Sequence, residues 1–187
     1  MTTLSTWLPT AAGTGSALVG GFYFAFSALV MPALRGRPAS EAVTAMNSIN
    51  RKAVTPPFMI LFFGSAAASA AVVITAVVDP ASQPPLRVAG AAACLAGFVS
   101  TMAVNVPLNN RLAQAGSQDW NRFLRSWVPA NHARAALSIA GAVALLVPLH
   151  PYTAGLRHIT ASTSTTALRP SITSTMIPQF AWFTPGP

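Results

Sequence analysis

Residues 57–78 read PFMILFFGSAAASAAVVITAVV, and none of them carries a formal charge. At 1.5 Å rise per residue such a run matches a bilayer's hydrocarbon core, which takes about 20 mainly apolar residues to cross. Three further stretches, residues 10–34, 86–106 and 129–149, repeat the pattern and hold no Lys, Arg, Asp or Glu except at their ends and at Arg134. Four such runs have no use in a soluble domain of 187 residues, whose surface helices need a polar face. The predicted fold class is therefore all-α: a bundle of four transmembrane helices, joined by short amphipathic helices lying at the interface.

Composition points the same way. Charged residues make up 7% of the chain against about 25% in soluble domains, and 52% of residues are apolar. The net charge of +8 sets 11 basic residues against Glu41, Asp79 and Asp119, but the basic residues sit in loops, so the partner they imply is the lipid bilayer and not nucleic acid. Arg35, Arg37, Arg51 and Lys52 lie between the first two spans, and Arg111, Arg122 and Arg125 between the last two, while only Arg87 falls between the second and third. Cytoplasmic loops retain Lys and Arg, which predicts a multi-pass protein of the cell membrane with loops 35–56 and 107–128 in the cytoplasm and both termini outside. No basic n-region or small-residue cleavage pattern opens the chain, so residues 1–10 are expected to stay attached to the first span. The single Cys94 excludes an internal disulfide framework.

Proline punctuates the runs. Pro56 and Pro57, Pro84 and Pro85, and Pro129 are read as helix openers, and Pro32, Pro80, Pro107 and Pro148 as exits. Two helices are expected not to span: one from a Ser40 cap to about Lys52, with Val43, Met46 and Ile49 at helical spacing, and one from a Ser117 cap carrying Trp120, Phe123, Leu124 and Trp127. Small residues recur along the spans, as in Gly90, Cys94 and Gly97 or Ala136, Ala140 and Ala144, where close backbone approach replaces a hydrophobic drive that lipid does not provide. Domain organisation is thus a membrane domain over 1–150 and a Ser/Thr/Pro-rich tail over 151–187, expected to be disordered.

The chemistry-bearing residues gather where the third run ends and the fourth begins. Asn105 and Asn109 lie on either side of Pro107, and Trp127, Asn131 and Arg134 share one helical face, with His132 beside them. Amide, imidazole and guanidinium groups at membrane depth are costly unless paired or lining a hydrated cavity, which makes them site candidates. Plainer roles stand beside this one: Trp120 and Trp127 as interfacial anchors, Arg111, Arg122 and Arg125 as topology signals, Asn105 as a bond between helices, and His132 as a partner for nearby backbone. The spans hold no Asp or Glu, one Cys and one His near the membrane face, too few for a metal site. No Gly-rich phosphate loop and no G-x-S-x-G nucleophile motif occurs, so no cofactor is expected.

The segments Gly21-Phe22-Tyr23-Phe24-Ala25-Phe26, Val30-Met31-Pro32-Ala33-Leu34, Met46-Asn47-Ser48-Ile49-Asn50 and Asn105-Val106-Pro107-Leu108-Asn109 complete the reading. Together with Trp120 through Trp127 to His132 and Arg134, they make the chain resemble the DUF1772 membrane proteins, also called the anthrone oxygenase family, over residues 10–149. That resemblance implies a four-helix membrane fold and a cofactor-independent monooxygenase that converts an anthrone-type polyketide to a quinone with O2. Such a reaction needs a base, donors for an enolate oxygen and an apolar aromatic pocket. On this reading His132 is the base, since an imidazole exchanges protons near neutral pH. Asn105, Asn109 and Arg134 stabilise the oxyanion, and Phe22, Phe26, Trp120, Trp127 and Asn131 hold the fused rings. The partners are then the bilayer, a lipophilic aromatic molecule and O2, and the architecture is compatible with a homo-oligomer. The competing function is a non-enzymatic membrane protein that binds or scaffolds lipophilic molecules. A transporter has less support, because no acidic residue in the spans offers a coupling-ion site.

Overall fold

The structure, a computed structural model, describes the backbone of residues 3–148 and the side chains of residues 7–148. The tail and the expectation of disorder attached to it lie outside the described residues. Helix α1 (Thr3–Ala25) passes through a π turn (Phe26–Val30) into α2 (Met31–Arg35); α3 (Ala39–Ala53) and α4 (Pro56–Val78) follow. Helix α5 (Pro85–Ser100) likewise passes through a π turn (Thr101–Asn105) into α6 (Val106–Ala115), and a 3-10 turn (Gly116–Asp119) leads to α7 (Trp120–Leu146). No strand occurs among the described residues.

Three stretches are long and apolar enough to cross a membrane: Trp7–Arg35, Pro56–Val78 and the 62-residue Pro85–Leu146. The last doubles back at Gly116, whose φ of 71° falls in the left-handed region that a residue without Cβ enters freely. Its two legs run antiparallel, with Gly90 against Ala144 and Gly97 against Ser138. The second leg, α7, has 27 residues, about 40 Å of helix, and therefore forms a crossing of its own. Four crossings result, arranged in a ring in which each helix is antiparallel to its neighbours. Phe22 of α1 packs at a tilt against Phe58 of α4, Phe62 of α4 stacks on Phe98 of α5, and Gly20 of α1 sits against Ile139 of α7.

Apolar and polar positions are distributed inside-out. Ile60 is 72% exposed and Val77 76%, whereas Ser69, Asn105, Asn131, Arg134 and Ser138 are buried. Water would penalise such a surface; hydrocarbon does not, and it forces the polar groups inward. At the end of the bundle where α2, α3, α6 and the start of α7 meet, α3 buries Ala42, Val43 and Met46 against a cluster that includes Leu34, Leu112, Trp120, Phe123 and Trp127. The exposed Arg35, Arg37, Arg51, Lys52, Arg111, Arg122 and Arg125 all belong to that end.

Several local expectations give way to different geometry. Pro32 and Pro107 do not end their helices. Each is the second residue after a π turn, and the carbonyl that its ring would strike, that of Ala28 or Ala103 four residues earlier, lies within that turn, where the widened ladder makes room. Pro129 does not open a span either; it lies inside α7, so the interfacial helix expected from Ser117 and the fourth span are one helix. Lipid-embedded helices tolerate such an interior proline because neighbouring helices and polar side chains satisfy the freed backbone groups. Neither serine caps. Pro38 takes the cap position of α3 while the Ser40 carbonyl accepts from the Thr44 hydroxyl at 2.8 Å. Asp119 precedes α7 and accepts from Arg111 Nε at 3.0 Å instead of capping.

The α5–α7 crossing has no spare room at Gly141: a Cβ there would lie 2.5 Å from Cys94 Sγ and 2.6 Å from the Gly90 carbonyl oxygen. Gly141→Ala is expected to cost about 1–3 kcal/mol, read as a lowered thermal midpoint of the detergent-solubilised protein. Gly64→Ala, with nothing within 4 Å, is expected to leave the midpoint unchanged. Equal midpoints for the two variants would contradict the packing described.

Candidate functional site

Arg134 lies in the middle of α7 and is 5% exposed. The described carboxylates serve elsewhere: Glu41 pairs with Arg37, Asp119 with Arg111, and Asp79 accepts from the backbone N–H of Ala81. The guanidinium donates instead to a single amide oxygen, Asn131 Oδ1, through Nε at 3.0 Å and Nη2 at 2.8 Å, and through Nη1 to Thr101 Oγ1 at 3.4 Å. Its plane lies over the Tyr23 ring, 3.9 Å from the centroid, with the Trp127 ring at 5.3 Å. Hydrogen bonds to a charge contribute about 1.5–3 kcal/mol each and a desolvated cation–π contact about 2, set against several kcal/mol for burying one ion. The cation is held by dipoles and ring faces, and its charge is left without a counter-ion among the described residues.

The rest of the network follows from donor and acceptor inventory. With its oxygen turned to the guanidinium, Asn131 presents its NH2 to α1, where Nδ2 donates to the Tyr23 carbonyl at 2.9 Å and to Ser27 Oγ at 2.8 Å. Thr101 gives its one proton to the Gly97 carbonyl at 2.9 Å, so in the 3.0 Å bond with Tyr23 the tyrosine hydroxyl is the donor. Tyr23 and Ser27 straddle the start of the first π turn and Thr101 begins the second, so the two helix irregularities lie level with the arginine. Such turns recur at functional positions because they re-aim side chains that a regular helix would not.

Ser27 connects this interior to an outer groove. Its oxygen accepts from Asn131, and its own proton has no acceptor among the described residues. The groove beside it, about 380 Å³, is lined by Phe24, Ser27 and Ala28 on one side and by His132, Ala135, Ala136 and Ile139 of α7 on the other. A second, smaller cavity of about 10 Å³, room for about one water, lies among Ser16, Ser65, Ser69, Cys94 and Ser138. Among the described residues no group of three or more His, Cys, Asp or Glu could hold a metal.

The residues singled out from sequence separate into three places. Asn131 and Arg134 meet, with Tyr23, Thr101 and Ser27 as their partners. His132, their neighbour in sequence, is exposed on the other side of α7 and lines the groove. Asn105 is fully buried, and neither end of its amide has a hydrogen-bond partner among the described residues; the same holds for Asn109 Oδ1 and Trp127 Nε1. Phe26, Trp120 and Trp127 are packed in the cluster under α3, and Phe22 bridges Phe26 at 5.1 Å and Phe58 at 4.5 Å. The structure therefore brings Asn131 and Arg134 together and leaves His132 apart from Asn105 and Asn109. Sequence reasoning passed over Tyr23, Ser27, Thr101, Asn47 and Asn50 as site residues. Ser27 and Thr101 had a usable signal, being hydroxyls a few residues before an in-run proline.

This is the architecture of a helical integral membrane protein with a buried arginine–amide centre. The family model for anthrone oxygenase matches residues 46–144, more than half of the chain, and the chain belongs to that family. The match runs from the middle of α3 through most of α7, with Asn105, Asn109, Asn131 and Arg134, and leaves out α1 and the π turn after it, with Tyr23 and Ser27. No curated protein and no solved structure matches the chain.

Asn131→Leu strands the guanidinium and removes four hydrogen bonds at once, whereas Tyr23→Phe removes one and keeps the ring face. The first is expected to destabilise by about 3–5 kcal/mol and the second by about 1 kcal/mol, compared as thermal midpoints in the same detergent. Comparable losses would show that Asn131 does not hold the cation.

Proposed function

We propose that this chain oxidises a lipophilic, anthrone-type hydroxyaryl ketone to a quinone with O2 and no cofactor, taking its substrate from the bilayer into the groove between α1 and α7. The observation that carries the reading is the pairing, in one groove of about 380 Å³, of an imidazole with a hydroxyl that hydrogen bonds tie to a buried cation. Family membership supplies the reaction class; the residues supply a means.

The reaction adds one oxygen atom to a carbon that starts as CH2. His132 takes a proton from this doubly benzylic carbon, and the negative charge that develops moves to the ring-ketone oxygen. Ser27 donates its uncommitted proton to that oxygen in a hydrogen bond. Asn131 and Arg134 act through Ser27: the bidentate contact polarises the amide, whose N–H then withdraws charge from the serine oxygen and makes its O–H a stronger donor. The carbanion passes one electron to O2, the resulting radical pair combines into a C–O bond, and the peroxide regains the proton from His132. Loss of the remaining C–H proton with cleavage of the O–O bond releases water and leaves the new carbonyl. One atom of O2 ends in the product and one in water, with no external reductant. Phe24 offers a ring face to the fused system.

Isolated membranes holding the protein should convert emodin anthrone to emodin faster than protein-free membranes under the same O2. His132→Ala is expected to lower the catalysed rate by at least about 100-fold and Ser27→Ala by about 10-fold or more. A non-enzymatic binder would retain the compound without accelerating its oxidation. Rates equal to the spontaneous background, or an unchanged rate in His132→Ala, would refute the proposal.

A further inference from the structure

A second set of polar groups stands apart from the groove and meets the arginine network at Trp127. On α3 and on the segments from Asn105 to Trp127, six buried side-chain atoms have no hydrogen-bond partner among the described residues: Asn47 Oδ1 and Asn50 Nδ2 on α3, both amide atoms of Asn105, Asn109 Oδ1 on α6, and Trp127 Nε1 on α7. Four of the atoms adjoin one region, and Asn105 lies about one helical turn before Asn109 on the same continuous helix. Met46 and Ile49 beside the α3 pair, Leu108 beside Asn109, and Trp127 itself are members of a single contiguous apolar cluster under α3. Buried polar groups are rarely left unmatched, because each carries its desolvation cost with nothing in return. An unmatched group at Asn105 alone would be an isolated oddity; six on three adjoining segments form a pattern.

The inventory of these atoms defines what would satisfy them. Three are donors (Asn50 Nδ2, Asn105 Nδ2, Trp127 Nε1) and three are acceptors (Asn47 Oδ1, Asn105 Oδ1, Asn109 Oδ1), and none is ionisable. A ligand matching them is uncharged, carries hydroxyl and carbonyl groups in comparable number, and tolerates aromatic walls, since Trp127 stacks with Phe123 and packs against Phe26. A charged ligand would find no counter-charge among the five residues.

We propose that the region under α3 is a second binding site, distinct from the groove, for an uncharged hydroxyaryl ketone or hydroxyquinone, with Asn105 at its centre and α3 as its cover. The choice of ligand rests on the proposed function; the existence of the site rests on the unmatched amides. Helix α3 is suited to cover it, being a short amphipathic element that buries Ala42, Val43 and Met46 at the end of the bundle and is joined to the spans at both ends by short connections. Admission of the ligand requires α3 to lift, since the six atoms are out of reach of solvent in the closed arrangement.

The test uses purified full-length protein in detergent with 1,8-dihydroxyanthraquinone as probe. It is carried out on an Ala136→Phe background, which fills the outer groove so that only the site under α3 reports. Saturable protection against thermal unfolding, with parallel quenching of tryptophan emission, is expected on that background. Adding Asn105→Leu should abolish both effects while raising the midpoint of the ligand-free protein by roughly 2–4 °C, because a burdened amide is replaced by an apolar side chain of similar size. Asn109→Val should weaken the probe at least tenfold and serves as the reading if Asn105→Leu does not fold. Absence of a saturable shift, or a shift unaffected by the asparagine variants, would overturn the proposal. If the unsubstituted protein fails to oxidise emodin anthrone while the Ala136→Phe protein still binds the probe, the oxygenase reading is refuted and this site stands; oxidation by the unsubstituted protein with no binding on the Ala136→Phe background would do the reverse.

Discussion

A single cation held inside hydrocarbon without a carboxylate is the constraint around which the rest is arranged. Arg134 cannot reach water from the middle of α7, and the described acidic residues are engaged elsewhere. Its solvation has to come from the protein, through the Asn131 oxygen, the Thr101 hydroxyl and the face of Tyr23. These groups come from three different helices, so the arginine draws α1 and α5 together around α7 at one level. Both contributing helices are irregular there, each taking a π turn ahead of a proline. A regular ladder would put Tyr23, Ser27 and Thr101 in different directions relative to the residues that follow.

Packing elsewhere serves that level from both sides. Toward the α5 N-terminus the helices close on one another through Gly90 and Gly141, where backbone meets backbone and side chains have no volume to spare. Toward the other end the space is filled by rings, with Phe26, Trp120, Phe123 and Trp127 under the amphipathic α3. Lipid supplies no drive to bring helices together, so close fit at one end and ring contact at the other replace it. The polar centre sits between a tight crossing and an aromatic plug, shielded from water on both sides, where its hydrogen bonds are strongest.

The helices, their number and their environment were legible in the sequence, because an uncharged run such as residues 57–78 has one solvent in which it is stable. The union of Asn131 with Arg134 was also legible, since three residues apart on a helix is one face. The direction in which His132 points was not: one position along α7 is a rotation of about 100°, enough to carry the imidazole from the bundle interior to the lipid-side groove. Pro32, Pro107 and Pro129 misled for a related reason. Proline reads as a stop when water can take up the carbonyls it frees; inside a bundle the helix widens or leans on neighbours and continues. Asn47 and Asn50 fell within a segment that carries the family resemblance, but nothing marked them as buried, because an amide on an amphipathic surface helix looks solvated until α3 is seen packed over the bundle's end.

The account stands most directly on whether the charge of Arg134 acts on the groove. Arg134→Met keeps length and apolar bulk while removing the charge and its fork of donors; Arg134→Lys keeps the charge without the fork. The measurement is oxidation of emodin anthrone by each variant in native-like membranes, with size-exclusion in detergent confirming the folded state of the same sample. The account predicts a folded Arg134→Met protein slowed by about 10-fold, no more than the loss of Ser27 through which it acts, with Arg134→Lys recovering only part of the loss. A folded Arg134→Met protein oxidising the substrate within a few-fold of the native rate would contradict it.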